Sequence, residues 1–150
     1  MNQFRFRLQR VLDWQRERCE LIENDISRLC GEVERIQSQM AAARAALVAA
    51  EEQVLTTKQL EGALLRGLAS YRLRLQKLGG TLDAERRACQ IRLTEKRTQW
   101  VEARKRYRIM ERLKHRKEQE HSYLLERELD KLAAEAYAAR WHTEHDSITA

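Results

Sequence analysis

The chain has no proline at any of its 150 positions, and this absence limits its fold more than any other feature of the sequence. Glycine is also scarce, with five residues. Sandwiches, barrels and α/β folds need a turn about every ten residues, and proline and glycine supply much of that turn chemistry. Long helices are the class that remains. We therefore predict an all-α chain whose leucines and alanines form thin seams and not a thick core.

A heptad stripe runs through the first third of the chain. Over residues 22–54 the apolar positions step by four and three without a miss, which is the a/d pattern of a coiled coil. We assign residues 4–18 to the same phase and predict one helix over about residues 3–55. In that first part the stripe consists of Phe4, Leu8 and Val11, with Gln15 and Arg18 as polar interruptions.

A second stripe begins after a break in the pattern. Thr56, Thr57 and Gly62 interrupt the first stripe, so we place the reversal of the chain at about residues 56–64. The second stripe contains Tyr71, Leu75, Leu78, Leu82, Cys89, Leu93, Trp100, Ala103, Tyr107, Met110, Leu125, Leu129, Leu132, Ala136 and Ala139. We predict a single domain over residues 1–150. It is a long antiparallel two-helix coiled-coil hairpin with an extended C-terminal helix over about residues 65–140 and a frayed tail over residues 142–150.

Gly79 and Gly80 interrupt the second helix, where each glycine costs about 1 kcal/mol relative to alanine. The helix either bends there or lets the two backbones approach closely. If the apex lies near residue 60, the numbers of facing residues sum to about 120, so Gly80 faces Met40 and the alanines that follow it. Small residues on both strands favour close approach. The same register places residue 4 opposite residue 116 and leaves about 25 residues of the second helix unpaired.

The net charge of +6 conceals a strong separation of charge along the chain. Residues 104–117 carry eight basic residues and one acidic residue, or +7, and residues 1–18 carry five and two, or +3. Residues 118–150 carry three basic and eight acidic residues, or −5. The hairpin register places both basic segments at one end, about +10 in total. Such an end is either a solvated face or a docking surface for an acidic partner.

The cysteines and the hydropathy indicate the compartment. Cys19, Cys30 and Cys89 have no CxxC spacing, and the first two would lie about 16 Å apart on one helix, too far for a disulfide. We expect reduced, buried cysteines in a cytoplasmic protein. No apolar run approaches the roughly 18 residues of a membrane helix, and no secretory signal is evident, so we expect no transmembrane segment.

The sequence offers little for catalysis or for metal binding. A two-stranded coil has almost no concavity where reacting groups could converge, so we expect no enzymatic activity and no cofactor. His142 and His145 have a spacing that could bind a metal, but no cysteine or carboxylate supports them, so we expect no metal site. Trp100 and Tyr107, one heptad apart, are interpreted as seam packing.

Three segments resemble the FliJ family of flagellar type III export proteins. Phe4–Leu12, with the sequence FRFRLQRVL before a Glu-rich heptad helix, resembles the start of that family. Tyr71–Leu75, YRLRL, and Glu111–Arg116, ERLKHR, resemble later segments, the second being similar to E-x-L-K-x-R. The resemblance implies an antiparallel hairpin similar to the central stalk subunit of rotary ATP synthases.

The resemblance also implies partners and a location. The end that carries both termini would insert into the hexameric export ATPase ring, and the body and apex would contact the cytoplasmic domain of the export gate protein. Export chaperones would bind as well. The protein would be cytoplasmic and peripherally associated with the cytoplasmic face of the inner membrane at the flagellar base.

Two groups of residues carry these expectations. The ATPase-binding end comprises Phe4, Arg5, Phe6, Arg7, Leu8, Arg10, Leu12, Arg112, Leu113, Lys114 and Arg116. We expect an attractive electrostatic field from five of the cations, which are Arg7, Arg10, Arg112, Lys114 and Arg116. We expect four apolar residues to hold the two strands in register, namely Phe4, Leu8, Leu12 and Leu113. The gate-binding stripe comprises Tyr71, Leu75, Leu78 and Leu82, of which the first two match the family by position. Without the resemblance, these four are either core or an exposed partner-binding stripe.

Two other functions compete with this interpretation. Eight Lys and Arg residues in residues 104–117 could neutralise phosphates in sequence-independent nucleic-acid binding. Against that, Tyr107 and Met110 belong to the seam and no zipper begins after the basic segment, so we expect no specific nucleic acid. The chain could also be a purely structural coiled coil, such as a homodimer, whose charges keep it soluble.

Overall fold

The structure, a computed structural model, describes residues 4–57 and 61–146, with side chains as far as residue 141. Two helices make up nearly all of it, α1 over Gln9–Thr56 and α2 over Gly62–Asp146. The helices pack against each other, and the described residues include no strand. The prediction of an all-α antiparallel helical hairpin is confirmed.

The ends of the helices at the chain reversal have identifiable local causes. The Thr56 hydroxyl donates to the carbonyl oxygen of Glu52 at 3.0 Å, and the Thr57 hydroxyl donates to that of Gln53 at 2.8 Å. Gln53 is one of the last four residues of α1, whose carbonyls have no amide partner within the helix, so the Thr57 hydroxyl satisfies its oxygen. At the start of α2, the Leu64 amide donates to the Glu61 carbonyl oxygen at 3.0 Å.

The chain divides into two compact units. The first, here the middle unit, is Glu17–Ala103. The second, here the terminal unit, combines the chain up to Arg16 with the chain from Arg104 onwards. The two basic segments predicted to lie at one end, residues 1–18 and 104–117, therefore belong to one unit except for residues 17 and 18. The prediction of a single domain stays a prediction.

The middle unit is held together by a narrow apolar seam. Ile36, 1% exposed, packs with Leu82 and Cys89, and Val33 and Met40 pack against this cluster. Removing apolar surface from water at such positions supplies most of the stability of a coiled coil. The heptad stripe over residues 22–54 carries this seam on α1, as the sequence predicts.

Four polar pairs that flank the seam of the middle unit share one polarity. In each of these four, the carboxylate is on α1 and the donor is on α2. They are Arg72 with Glu51, Cys89 with Glu32, Lys96 with Asp25, and Trp100 with Glu23. The residue numbers within each pair sum to 121 or 123, close to the predicted 120. The predicted register is therefore confirmed in this unit.

The seam on α2 differs from the predicted stripe at one apolar position. Leu78 is 46% exposed, whereas Gly79 is half-buried and takes its place on the face that packs against α1. Steps of four and three from Leu75 reach Gly79, Leu82 and Arg86. All of these residues are half-buried or buried. The assignment of Leu78 to the seam is wrong, because it followed apolar identity where steps of four and three lead to Gly79.

The expected close approach of the backbones at the glycine pair is also wrong. α2 is continuous through Gly79 and Gly80, and a Cβ atom built on either glycine meets nothing within 4 Å. Gly79 instead lines an open groove of about 620 Å³ together with Met40, Ala43 and Leu47. The missing side chain leaves a gap in the seam, and the facing helix does not move in to fill it.

The C-terminal boundary of α2 differs from the prediction as well. Residues 142–146, assigned to a frayed tail, continue the helix to Asp146. Residues 147–150 of that tail lie outside the described residues. At the other end of the hairpin, residues 58–60 of the predicted apex also lie outside them, so the reversal is described only by its flanks, Thr57 and Glu61.

Replacing either glycine by alanine should stabilise the protein. The new methyl group meets no atom within 4 Å, so Gly79→Ala and Gly80→Ala each gain helix propensity worth about 1 kcal/mol. For a chain of this size, that corresponds to a rise in Tm of about 2–4 °C, measurable by circular dichroism. A fall in Tm for either variant would mean that the backbones do approach closely there.

The ion pair between Lys96 and Asp25 should give an acid-dependent contribution to stability. The Lys96 ammonium donates a hydrogen bond to Asp25 Oδ2 at 2.6 Å and attracts its charge, which lowers the pKa of Asp25 from 3.8. The contribution is complete above about pH 4 and is lost as the pH falls through the lowered folded-state pKa. By carboxyl NMR titration, Lys96→Met should raise the pKa of Asp25 toward 3.8, whereas Lys77→Met, which changes an exposed lysine, should leave it unchanged.

Candidate partner-binding surface of the terminal unit

The N-terminal segment of the terminal unit is not helical. Residues 4–6 have no regular structure, residues 7 and 8 form a turn, and α1 begins at Gln9, where the sequence predicted a helix from about residue 3. Phe4 and Phe6 are half-buried, and Arg5 and Arg7 are exposed. This alternation has a period of two, which is typical of an extended chain packed on one side. The sequence FRFR therefore contained the signal that the heptad assignment missed.

The two phenylalanines lie against α2. The ring of Phe4 contacts the ring of His121 edge to face, with centroids 5.6 Å apart and planes inclined by 62°. A cavity of about 640 Å³ lies between this segment and the helix. It is lined by Phe4, Arg5, Phe6, Arg7, Leu8, Leu113, Lys117, Glu120, His121 and Leu124. The site is therefore an apolar depression with cations at its edge.

The partner of Phe4 on α2 lies five residues beyond the predicted one. The register of two helices places residue 4 opposite residue 116, but Phe4 contacts His121. An extended residue advances by about 3.3 Å and a helical residue by 1.5 Å, so a short extended segment reaches further along the facing helix. The displacement follows from the unpredicted loss of helix before Gln9.

The start of the α1 seam also differs from the prediction. Leu8 and Val11, which were assigned to the seam, are each 41% exposed. The buried positions are Leu12, Gln15 and, further along α1, Cys19. These residues continue the heptad spacing of residues 22–54 correctly, whereas the predicted positions had slipped by one residue. Gln15 is confirmed as a polar interruption, and its buried Oε1 atom has no hydrogen-bond partner.

The basic segment of α2 keeps much of its charge at the surface. Arg112 and Arg116 are exposed, and neither forms an ion pair among the described residues. Lys117 Nζ pairs with Glu120 at 2.6 Å, and Lys114 Nζ lies 3.8 Å from a Glu118 oxygen. At the start of the segment, the guanidinium of Arg104 lies 5.6 Å from the centroid of the Tyr107 ring. Such exposed pairs offset little of the total charge.

Residues proposed for the ATPase-binding end fall into three groups. Phe4, Arg5, Phe6, Arg7, Leu8 and Leu113 share the cavity. Arg10, Arg112 and Arg116 are exposed outside it, and Lys114 is half-buried outside it. Leu12 is buried in the seam and is available for packing only. The sequence reasoning missed Lys117, Glu120, His121 and Leu124, whose proximity to Phe4 depends on the extended N-terminal segment.

The four residues proposed for the gate-binding stripe do not form one surface. Tyr71 lines a cleft of about 480 Å³ near the chain reversal, and Leu75 lines the groove beside Gly79. Leu78 is exposed, and Leu82 is part of the core with Ile36. Leu82 therefore cannot belong to an exposed docking stripe, because its side chain is already used in holding the two helices together.

The remaining chemical features are simple. The three cysteines form no disulfide; Cys19 and Cys89 are buried and Cys30 is half-buried. No group of histidine, cysteine and acidic side chains suited to a metal ion occurs in the part of the chain that the structure describes. The side chains of His142 and His145 lie outside it. Across the same residues, neither helix contains a stretch long and apolar enough to cross a membrane.

Comparison with known proteins adds no family. The chain matches no protein-family model, no curated protein and no solved structure.

Removing the Phe4 ring should release the N-terminal segment from α2. Phe4→Ala removes the contact with His121 and one of the side chains that line the cavity, so the segment should become more accessible to protease. We expect trypsin to cleave after Arg5 and Arg7 at least several-fold faster than in the unaltered protein. Val11→Ala, which truncates an exposed residue in the first turn of α1, should leave these rates unchanged. Equal cleavage of the two variants would show that Phe4 does not anchor the segment.

Proposed function

We propose that the chain is a non-enzymatic component of the flagellar type III protein export apparatus. In this role it is a stalk-like coiled coil that binds the hexameric export ATPase ring, couples the ring to the export gate and interacts with export chaperones. The proposal rests on the resemblance of three segments to the FliJ family and on one physical observation, namely the two basic segments that share the terminal unit. The corresponding location is the cytoplasmic face of the inner membrane at the flagellar base.

The charge of the terminal unit supports this proposal. The segment before α1 and the first turns of α1 contribute +3, and residues 104–117 contribute +7. Like charges gathered in one unit repel, so the folded state bears an electrostatic cost that its few exposed ion pairs relieve only slightly. An acidic partner would remove that repulsion on binding and would be attracted from a distance. Acidic loops lining a ring would be a partner of this kind.

The apolar depression in the terminal unit offers apolar contacts for binding, which charged side chains alone do not provide. Charged side chains at a rim mainly steer association, whereas affinity depends on apolar contacts that exclude water. Phe6, Leu113 and Leu124 provide such contacts beside the Arg5 and Arg7 cations. We therefore place the ATPase-binding surface on this depression and on the exposed cations of α2 next to it, with Leu12 in a supporting role only.

Only the accessible residues of the gate-binding stripe remain in the proposal. Tyr71, Leu75 and Leu78 remain half-buried or exposed and keep their proposed role toward the cytoplasmic domain of the export gate protein. Tyr71 and Leu75 line different depressions, so a gate domain that used both would have to span two sites on the middle unit.

Reversing two exposed charges tests the ATPase proposal. Arg112→Glu/Arg116→Glu changes the charge of the basic segment from +7 to +3, so binding to the flagellar export ATPase at low salt should weaken by about tenfold or more, and ATPase stimulation should fall with it. Biolayer interferometry at 50 and 300 mM salt measures both the affinity and its screening.

Arg92→Glu/Arg97→Glu is the matched control, because these arginines are exposed on the same helix in the middle unit and change the net charge equally. This variant should keep the affinity of the unaltered chain. Unchanged affinity of Arg112→Glu/Arg116→Glu at low salt would refute the electrostatic proposal. Circular dichroism of both variants verifies that helicity is intact.

Each of the two competing functions predicts a different experimental result. Sequence-independent nucleic-acid binding would appear as a gel shift of random duplex DNA at physiological salt, with a steep salt dependence. A purely structural coiled coil would show neither ATPase binding nor a shift. Co-purification with the export ATPase, with and without residues 1–12, separates both from the main proposal.

A further inference from the structure

The distal part of α2 carries an apolar stripe that no described residue covers. The stripe, here the distal stripe, consists of Leu125, Leu129, Leu132 and Ala136. Leu125 is half-buried, whereas Leu129 is 51% and Leu132 is 61% exposed. Every side chain from Glu126 to Trp141 is exposed. Beyond Leu125, the distal stripe therefore gains no burial from the described residues of the terminal unit.

The distal stripe continues a packing face that is already in use. His121 lies on the same face of α2 and contacts Phe4 of the N-terminal segment. From His121 the apolar positions proceed through Leu125 in steps of four and three, which keeps them on one side of the helix. The face that packs within the molecule up to His121 thus extends beyond the described part of the N-terminal segment, where it offers a surface for a further helix.

The charges beside the distal stripe identify the chemistry of that helix. Glu126, Glu128 and Glu135 flank the stripe, are exposed, and form no ion pair with described residues. Residues 118–141 carry six acidic and three basic residues, or −3. Flanking charges set the choice of partner in helix pairs. An acidic flank fits a helix with lysine or arginine beside its own apolar positions.

A second copy of the chain fits this surface poorly. In an antiparallel pair that sets Leu129 of one copy against Leu132 of the other, Glu128 of one copy would lie beside Glu135 of the other, and like charges at flanking positions are destabilising. In a parallel pair the two segments 104–117, each +7, would be brought side by side. Both arrangements bring charges of the same sign close together, so the partner must be a chain of different composition.

We infer that the distal stripe is a docking surface for a basic amphipathic helix of a partner protein. The partner helix would bury Leu129 and Leu132 in a two-helix seam and pair its cations with Glu126, Glu128 and Glu135. The distance from Leu125 to Ala136 is about three helical turns, so a helix of about 12 residues or more is needed. The distal stripe shares no residue with the proposed ATPase-binding surface, so the two proposals hold or fail separately.

Binding of designed peptides to the full chain tests this inference. The probe is a fluorescent 21-residue amphipathic helix with leucine at the seam positions and lysine on both flanks. The control is the same peptide with glutamate on the flanks. We expect the lysine peptide to bind, with an affinity that falls as salt rises from 50 to 300 mM, and the glutamate peptide not to bind. Anisotropy titration measures both.

Two variants separate the apolar and the charged contributions. Leu129→Ala/Leu132→Ala should weaken binding of the lysine peptide by about tenfold or more, because these methylene groups would no longer be buried. Glu126→Lys/Glu128→Lys/Glu135→Lys should reverse the preference toward the glutamate peptide. All five positions are exposed, and circular dichroism verifies that both variants remain helical.

Three results would overturn the inference. They are equal binding of the two peptides, binding of neither, and sedimentation of the unaltered chain as a dimer that Leu129→Ala/Leu132→Ala converts to a monomer. The last result would assign the distal stripe to a second copy of the chain.

Discussion

Every other feature of the structure depends on the apolar contact between α1 and α2. A chain with two helices has no second layer, so its apolar residues leave water only along this seam. Each fully buried Ile or Leu contributes about 1.5–3 kcal/mol, which outweighs the cost of about 1 kcal/mol for a glycine in the same helix. The cluster of Ile36, Leu82 and Cys89 can therefore tolerate the gap that Gly79 leaves beside it.

Polar side chains beside the seam decide which residues face each other. An apolar heptad stripe alone permits a shift by one heptad, because the same pattern repeats. In the middle unit, carboxylates on α1 meet donors on α2 at four separate places between Glu51 and Glu23. A shift would break all four pairs together. Each exposed pair adds little stability by itself, but the set is consistent with a single register.

The terminal unit combines attraction and repulsion within a small region. Phe4 and Phe6 bind the N-terminal segment to α2, and this contact holds Arg5 and Arg7 beside a helix that is already strongly basic. Apolar burial thus holds these like charges close together. The positive electrostatic field that they produce extends into the solvent. Beyond Leu125 the sign of the charge changes, and the same helix presents an acidic, apolar-centred face. One helix therefore offers two surfaces that would select partners of opposite charge.

The sequence by itself determined the fold class, the register of the middle unit and the separation of charge, because these follow from the absence of proline, from heptad spacing and from residue counts. It did not determine where regular structure stops at the N-terminus. The helical and extended interpretations of FRFR differ only in whether the two phenylalanines can be buried together, and α2 decides that by presenting His121 and Leu124 to them. The role of Gly79 was also decided by tertiary structure, because a glycine is recognised as a seam position only when the facing helix is in place. The candidate site depended on both of these points, and this is why its cations could be predicted from composition whereas its cavity could not.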